Sequence, residues 1–196
     1  MSTAKIAIVA GPSGSGKSRL AERLGWSVIR LDDFYYDIDA PDLPFSSLGI
    51  PDWDHVDAWN FNAAMDSIEL LVQTGQAEMP VYDISTSKRV GTQLVKATGP
   101  VVIAEGIFAA HIVQACKDRG LLATAILIRR PRIVNFFLRL VRDIKESRKP
   151  IITLLRRGRR LYKDEPRIIS EALAAGCKPM SIDEAETYLR SLDRGF

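Results

Sequence analysis

Apolar positions along the chain fall into short β-branched runs that alternate with longer stretches at helical spacing. The runs are Ile6–Ala10, Ser27–Leu31, Val101–Ala104 and Ala125–Ile128. Near-continuous apolar runs separated by helical patterns predict a parallel sheet buried on both faces by helices. A first helix is expected from about Lys17 to Leu24, stopped by Gly25. A second begins near Asn60 or Asn62, carries Phe61, Met65, Ile68 and Leu71 or Val72 on one face, and closes at Gly75. A third covers roughly Ala109–Lys117. A fourth starts at Pro131, with Ile133, Phe136, Phe137, Leu140, Val141 and Ile144 as a stripe facing the core. Ser181-Ile182-Asp183-Glu184 has the form of a capping box ahead of a terminal helix carrying Ala185, Tyr188, Leu189 and Leu192.

Two stretches break the alternation. Residues 37–58 are rich in Asp and Pro, with Trp53 inside and Trp59 just beyond, and form an expected insertion over the active face. Residues 78–95 hold two short strand patterns joined by Ile84-Ser85-Thr86-Ser87, which predicts a hairpin lid. Ligands in open parallel sheets sit at the carboxyl ends of the strands, where both segments would hang.

Composition adds bounds. The 196 residues, 46% hydrophobic and 26% charged, suit one globular domain spanning 1–196. No apolar run is long enough to span a membrane, and the first residues lack a basic-then-apolar leader. Cys116 and Cys177 stand in neither metal nor redox spacing, which favours a reducing cytoplasm. His55 and His111 are too far apart in sequence to suggest zinc. The net charge of +3 is unevenly spread: basic residues crowd the segment from Arg129 to Lys163, and acidic ones the first hundred. Such asymmetry suggests an anion near the basic half, either nucleic acid or a polyphosphate.

The first strand runs straight into Gly11-Pro12-Ser13-Gly14-Ser15-Gly16-Lys17-Ser18, an intact G-x-x-x-x-G-K-[ST] loop opening a helix. Its amide groups and the helix N-terminus form a nest for a nucleoside triphosphate. Gly11, Ser13, Gly14, Ser15, Gly16, Lys17, Ser18 and Arg19 are the expected contacts. Lys17 is placed to reach the β- and γ-phosphates and Ser18 to hold Mg²⁺. Two acidic sites follow apolar runs: Asp32-Asp33 after Ser27–Leu31, and Glu105 after Val101–Ala104. Phosphoryl transfer needs a metal bridge, a group to deprotonate the acceptor hydroxyl, and cations on the transferring group. Glu105 suits the metal, through water, and Asp32 suits the base. The basic helix around Arg139–Lys149 is placed to close over the transferring group.

These elements resemble the uridine kinase family. Leu31-Asp32-Asp33-Phe34-Tyr35-Tyr36 is similar to its D-x-F-Y element, and Trp53-Asp54-His55-Val56-Asp57-Ala58-Trp59-Asn60 to its F-D-H-P-D-A-F-D. Pro80-Val81-Tyr82-Asp83, closed by Arg89, resembles its P-x-Y-D hairpin. Ala104-Glu105-Gly106-Ile107-Phe108 resembles its E-G-I-[FL], and Leu140-Val141-Arg142-Asp143-Ile144 its L-R-D-I lid helix. The matches keep the family's order over roughly residues 5–149. The resemblance implies an α/β P-loop NTPase/kinase fold: a five-stranded parallel sheet flanked by helices, with a β-hairpin (about 78–95) and a helical lid (about 139–160). It implies that ATP or GTP, with Mg²⁺, phosphorylates a nucleoside 5′-hydroxyl, uridine or cytidine by default. By position, Asp32, Lys17 and Arg142 would be catalytic and Ser18 and Glu105 would serve the metal. Asp54, Tyr82, Tyr35, Arg139, Arg142 and Arg148 would hold the acceptor.

The chain also departs from that pattern. Ser87 stands where the family has a pyrimidine-reading histidine, Ile84 where it has a stacking aromatic, and Val56 where it has a proline. The lid's later arginines are represented by Ser147-Arg148-Lys149. A site stripped of polar readers relaxes or changes its choice. A phosphoribulokinase- or pantothenate kinase-like acceptor therefore stays open, as does a homo-oligomer. An ATPase without acceptor and a nucleic-acid module built on Arg156–Arg160 are weaker alternatives. The chain lacks the guanine-reading N-K-x-D of a GTPase switch. Residues 150–196 match no family element, and the segment around Ala175–Pro179 is assigned an adenine contact.

Overall fold

The computed structural model describes residues 4–46, 49–130 and 165–193. The fourth helix, the lid at 139–160 and Arg139, Arg142 and Arg148 lie outside the described residues.

Five strands, β1 (Lys5–Ala10), β2 (Val28–Arg30), β5 (Val101–Glu105), β6 (Leu122–Ile128) and β7 (Lys178–Met180), pair in parallel in the order β2-β5-β1-β6-β7. β3 (Gln76–Asp83) and β4 (Lys88–Lys96) form a separate antiparallel hairpin. Successive side chains on a strand point to opposite faces, so the central strand feeds two cores. Ile6 and Ile8 pack with Met65, Ile68 and Leu71 of helix α2 (Phe61–Thr74) and with Val113 and Cys116 of α3 (Val113–Asp118). Ala7 and Val9 pack with Leu20 and Leu24 of α1 (Lys17–Leu24). The same face takes Ile182, Ala185 and Leu189 of the last helix, Ile182–Asp193. Residues 165–174 are also helical and are called α4, which makes the last helix α5. Among the described residues no helix is long and apolar enough to cross a membrane.

The expected punctuation is present. Gly25 and Gly75 end α1 and α2 in the left-handed conformation, at φ 67° and 80°. Asn60 caps α2, accepting from Ala63 N at 2.9 Å. Ser181 and Glu184 exchange the two bonds of a capping box, Ser181 N to Glu184 Oε2 at 2.8 Å and Glu184 N to Ser181 Oγ at 3.3 Å.

Two expectations are corrected. The run Ser27–Leu31 yields only a three-residue strand; Leu31 opens a 3-10 turn, Leu31–Phe34, so Asp32 and Asp33 ride on a turn. Trp59, 3% exposed, pins that turn by donating Nε1–H to the Leu31 carbonyl at 2.6 Å. The third helix is α-helical only from Val113; Ala109–Ile112 is a 3-10 turn. The segment around Ala175–Pro179, expected to contact adenine, leads into β7, whose Lys178 and Pro179 pair beside Ile126 and Leu127. Pro179 is tolerated because β7 is an edge strand.

Candidate active site

The carboxyl ends of β1, β5 and β2 meet at one cavity of about 580 Å³. The phosphate loop after β1 supplies Ser13, Gly14, Gly16, Lys17, Ser18 and Arg19. β5 supplies Glu105, the end of β2 and its turn supply Arg30, Asp32 and Asp33, and the hairpin supplies Tyr82 and Ile84. Glu22 and Ile107 complete the lining.

The loop's shape follows from its glycines. Gly14 and Gly16 have φ of 80° and 99°, and a Cβ on Gly16 would collide with Ile182 Cδ1. Gly11 and Ser15 shape the loop without lining the cavity: a Cβ on Gly11 would lie 2.9 Å from Ser15 Oγ, and Ser15 is fully buried. Lys17, 8% exposed, lies along the loop and donates to the carbonyls of Gly11 at 2.9 Å and Pro12 at 3.3 Å.

The acidic side is equally defined. Ser18 Oγ donates to Glu105 Oε1 at 2.9 Å, joining loop to sheet across 87 residues of sequence. Glu105 is buried, like Lys17. Asp32 Oδ1 accepts from Ile107 N at 3.0 Å, which fixes the carboxyl beside the end of β5. Burial pushes the Asp32 carboxyl above its ordinary range; Lys17 opposes the shift and Glu105 adds to it. Burial also raises Asp33, opposed by the Tyr82 amide and by Arg30. The Tyr82 phenol is pushed up to about 12, mainly by burial.

These residues fit a magnesium triphosphate. The turned glycines and Lys17 suit polyphosphate oxygens. The Ser18 hydroxyl and Glu105 carboxylate are hard oxygen donors already in contact, as Mg²⁺ requires when phosphates and waters fill its remaining positions. Among the described residues, no three His, Cys, Asp or Glu side chains cluster as a ligand set.

Other expected site residues lie elsewhere. Tyr35 is absent from this cavity's lining and borders a second one of about 350 Å³ with Tyr36, Asp37, Asp39, Ala40 and Arg89. Its ring packs on Trp53, Tyr82 and Phe108 at 5.7 to 5.8 Å, and its hydroxyl donates to the Trp53 carbonyl at 3.1 Å. Asp54 does not line the main cavity either. Its amide donates to Asp52 Oδ1 at 3.3 Å, and its carbonyl accepts from Arg167 at 3.2 Å. No described residue of the 37–58 insertion lines the main cavity; the insertion borders the second one instead. Arg30, Asp33 and Ile84 line the main cavity without having been singled out as contacts. Arg30 was legible in principle: it pairs in register with Glu105, and paired positions of parallel strands share a face.

Comparison with known proteins bears on the family and the fold. The family profile described as "Phosphoribulokinase / Uridine kinase family" matches residues 6–151. A uridine kinase of Borrelia garinii subsp. bavariensis is 28% identical over 157 residues, covering 78% of this chain and 73% of that protein. A uridine kinase of Deinococcus deserti is 29% identical over 145 residues, covering 70% and 68%. Among solved structures, a Silicibacter sp. TM1040 protein provisionally named a fructose transport system kinase aligns with a TM-score of 0.60. That alignment has 14% identity and covers 92% of this chain and 89% of that one, which speaks to the fold alone.

Proposed function

Because the chain belongs to the phosphoribulokinase / uridine kinase family and so is a kinase of a small metabolite, we propose that it moves the γ-phosphoryl group of ATP or GTP to a hydroxyl of a pyrimidine nucleoside. Residues 1–196 act in this proposal as one kinase domain. The observation that carries it is the convergence of Lys17, the Ser18–Glu105 pair and Asp32 on one cavity. Lys17 and the loop amides hold the β- and γ-phosphates, while Ser18 and Glu105 hold Mg²⁺. When bound, that ion neutralises charge on the phosphate oxygens. Asp32 accepts the proton of the acceptor hydroxyl as its oxygen bonds to phosphorus. Tyr82 and Ile84 form the acceptor's side of the cavity. A cytoplasmic location agrees with the two buried, free thiols, whose pKa values burial raises to about 11.

A second acceptor class is favoured by two particular residues. Ser87 holds a left-handed backbone (φ 53°) at the hairpin turn, and Ile84, 64% exposed, offers the cavity an aliphatic side chain. Ile84 has no hydrogen-bonding group for a pyrimidine edge and Ser87 does not line the main cavity, so a non-nucleoside hydroxyl acceptor is the alternative.

The deciding assay measures formation of ADP from MgATP or GDP from MgGTP with uridine, cytidine, purine nucleosides, pantothenate and ribulose 5-phosphate. Uridine or cytidine should raise turnover at least about tenfold over triphosphate alone, a barrier difference of about 1.4 kcal/mol. No nucleoside above background, with another acceptor active, would replace the first acceptor by the second.

Gly106→Ala tests the placement of the base. Its Cβ would lie 2.7 Å from Asp32 Oδ1 and 2.9 Å from Leu31 Cβ, so the Asp32 carboxyl must move. Misplacing a reacting group by a fraction of an ångström to 1 Å costs up to about 100-fold. Turnover with acceptor should fall on that order while triphosphate affinity is retained. Wild-type turnover in this variant would show that Asp32 tolerates displacement.

A further inference from the structure

The hairpin carries an irregularity beside the catalytic turn. β3 and β4 pair regularly from Gln76↔Lys96 to Val81↔Gly91, after which Tyr82 faces Arg89, so Val90 is an extra residue on β4. A bulge of this kind breaks the ladder locally and re-aims the strands, and bulges are common beside active sites. Here it adjoins the Tyr82 amide, which leaves the hairpin to donate to Asp33 Oδ1 at 3.4 Å, a long bond. Further along, the segment after Asp33 is tied to the hairpin by Tyr82 OH to Tyr36 O at 3.1 Å, Arg89 N to Asp37 Oδ1 at 2.7 Å and Ile38 N to Ser87 O at 3.0 Å. Asp33 alone among these acceptors lines the main cavity, next in sequence to the proposed base.

A carboxylate half-sunk in a cavity wall costs free energy unless it is partnered. A small neutral residue would serve a turn here without that cost. The charge is answered by the Tyr82 amide from 49 positions away and by Arg30 on the adjoining strand end. The hairpin is therefore tied to the turn that carries Asp32, which argues against a freely opening lid.

We propose that Asp33 is a positioning residue for the acceptor: by accepting the Tyr82 amide beside the Val90 bulge, it sets the hairpin wall of Tyr82 and Ile84 at a fixed distance from the Asp32 carboxylate. The proposal rests on the kinase function above for its effect on turnover, but not for the latch itself. Asp33→Asn keeps an oxygen that accepts the amide. Asp33→Ala removes it, and deleting Val90 restores an even register and turns the Tyr82 amide away.

The latch is read by hydrogen exchange at the Tyr82 amide without ligands, and its effect by steady-state kinetics with uridine and MgATP. Asp33→Ala and the Val90 deletion should each speed Tyr82 exchange by about tenfold and raise KM for uridine about fivefold, the scale of one lost hydrogen bond. KM for MgATP should stay within about twofold, because the loop does not touch the hairpin amide. Asp33→Asn should restore both readouts, which a merely destabilised fold would not show. Should Asp33→Ala not fold, Asp33→Ser, too short to reach the amide, carries the same expectation. Unchanged Tyr82 exchange in the variants lacking the acceptor oxygen would overturn the proposal, as would a KM change confined to MgATP. Failure of uridine to turn over counts against the nucleoside acceptor, and the latch then stands or falls on the exchange result.

Discussion

Asp32→Asn should lower acceptor phosphorylation by roughly 10²- to 10⁴-fold, the range a positioned general base contributes, with triphosphate affinity nearly unchanged. The substitution preserves the oxygen that accepts from Ile107 N at 3.0 Å, so the local structure should hold. What it removes is the ability to take a proton. Binding of a fluorescent triphosphate analogue and the rate of acceptor phosphorylation separate the two effects. A variant that kept most of its turnover would remove Asp32 from the chemistry. The same assignment fixes a pH dependence. Burial raises the Asp32 carboxyl, so its ionised, proton-accepting form is lost on acidification at a pH above the ordinary aspartate value of about 4. The kcat/KM for acceptor should be level at higher pH and fall as pH drops through that raised value. A profile flat down to the ordinary aspartate range would contradict the assignment.

Lys17→Ala should weaken triphosphate binding by about 100-fold and reduce turnover by a comparable further factor, as loss of a preorganised cation does. Lys17 is 8% exposed and shares the cavity with Asp32 and Glu105, so its removal takes away the cation that favours the ionised Asp32 carboxylate. The carbonyls of Gly11 and Pro12 would also lose their donor. Because Lys17 opposes the upward shift of Asp32, the acid limb of any residual activity should move to still higher pH. Lys17→Arg should not rescue, since a planar guanidinium cannot replace a compact ammonium in a buried slot. Calorimetric binding of MgATP and the pH profile of the variant test both parts. Unaltered triphosphate affinity would mean that the loop amides alone hold the phosphates.

Much of this molecule was legible in its local pattern. A strand buried on both faces leaves a continuous apolar run, and an amphipathic helix leaves a stripe with a capping residue and a glycine stop. β1, α1, α2 and β5 could therefore be placed to within a residue or two. β7 could not: a three-residue edge strand containing Pro179 has no apolar run to reveal it, and only pairing with β6 makes it a strand. The Leu31–Phe34 turn was likewise hidden, because it is imposed from outside by Trp59 and Ile107.

The site divides along the same line. Residues contiguous in sequence, Gly11 through Ser18, determine the phosphate cradle by themselves, since its shape depends on glycine conformation and a helix start. Asp32, Asp33 and Glu105 were legible too, as acidic residues directly following apolar runs. Which carboxyl meets which partner was decided only when the sheet closed, in the order β2-β5-β1, bringing Glu105 to Ser18 and Asp32 to Ile107. The same closure kept Tyr35 and Asp54 off the main cavity and brought Arg30, Asp33 and Ile84 onto it. Spacing along a chain carries the conformations of neighbouring residues, whereas contacts between distant ones are set by which buried faces pack together.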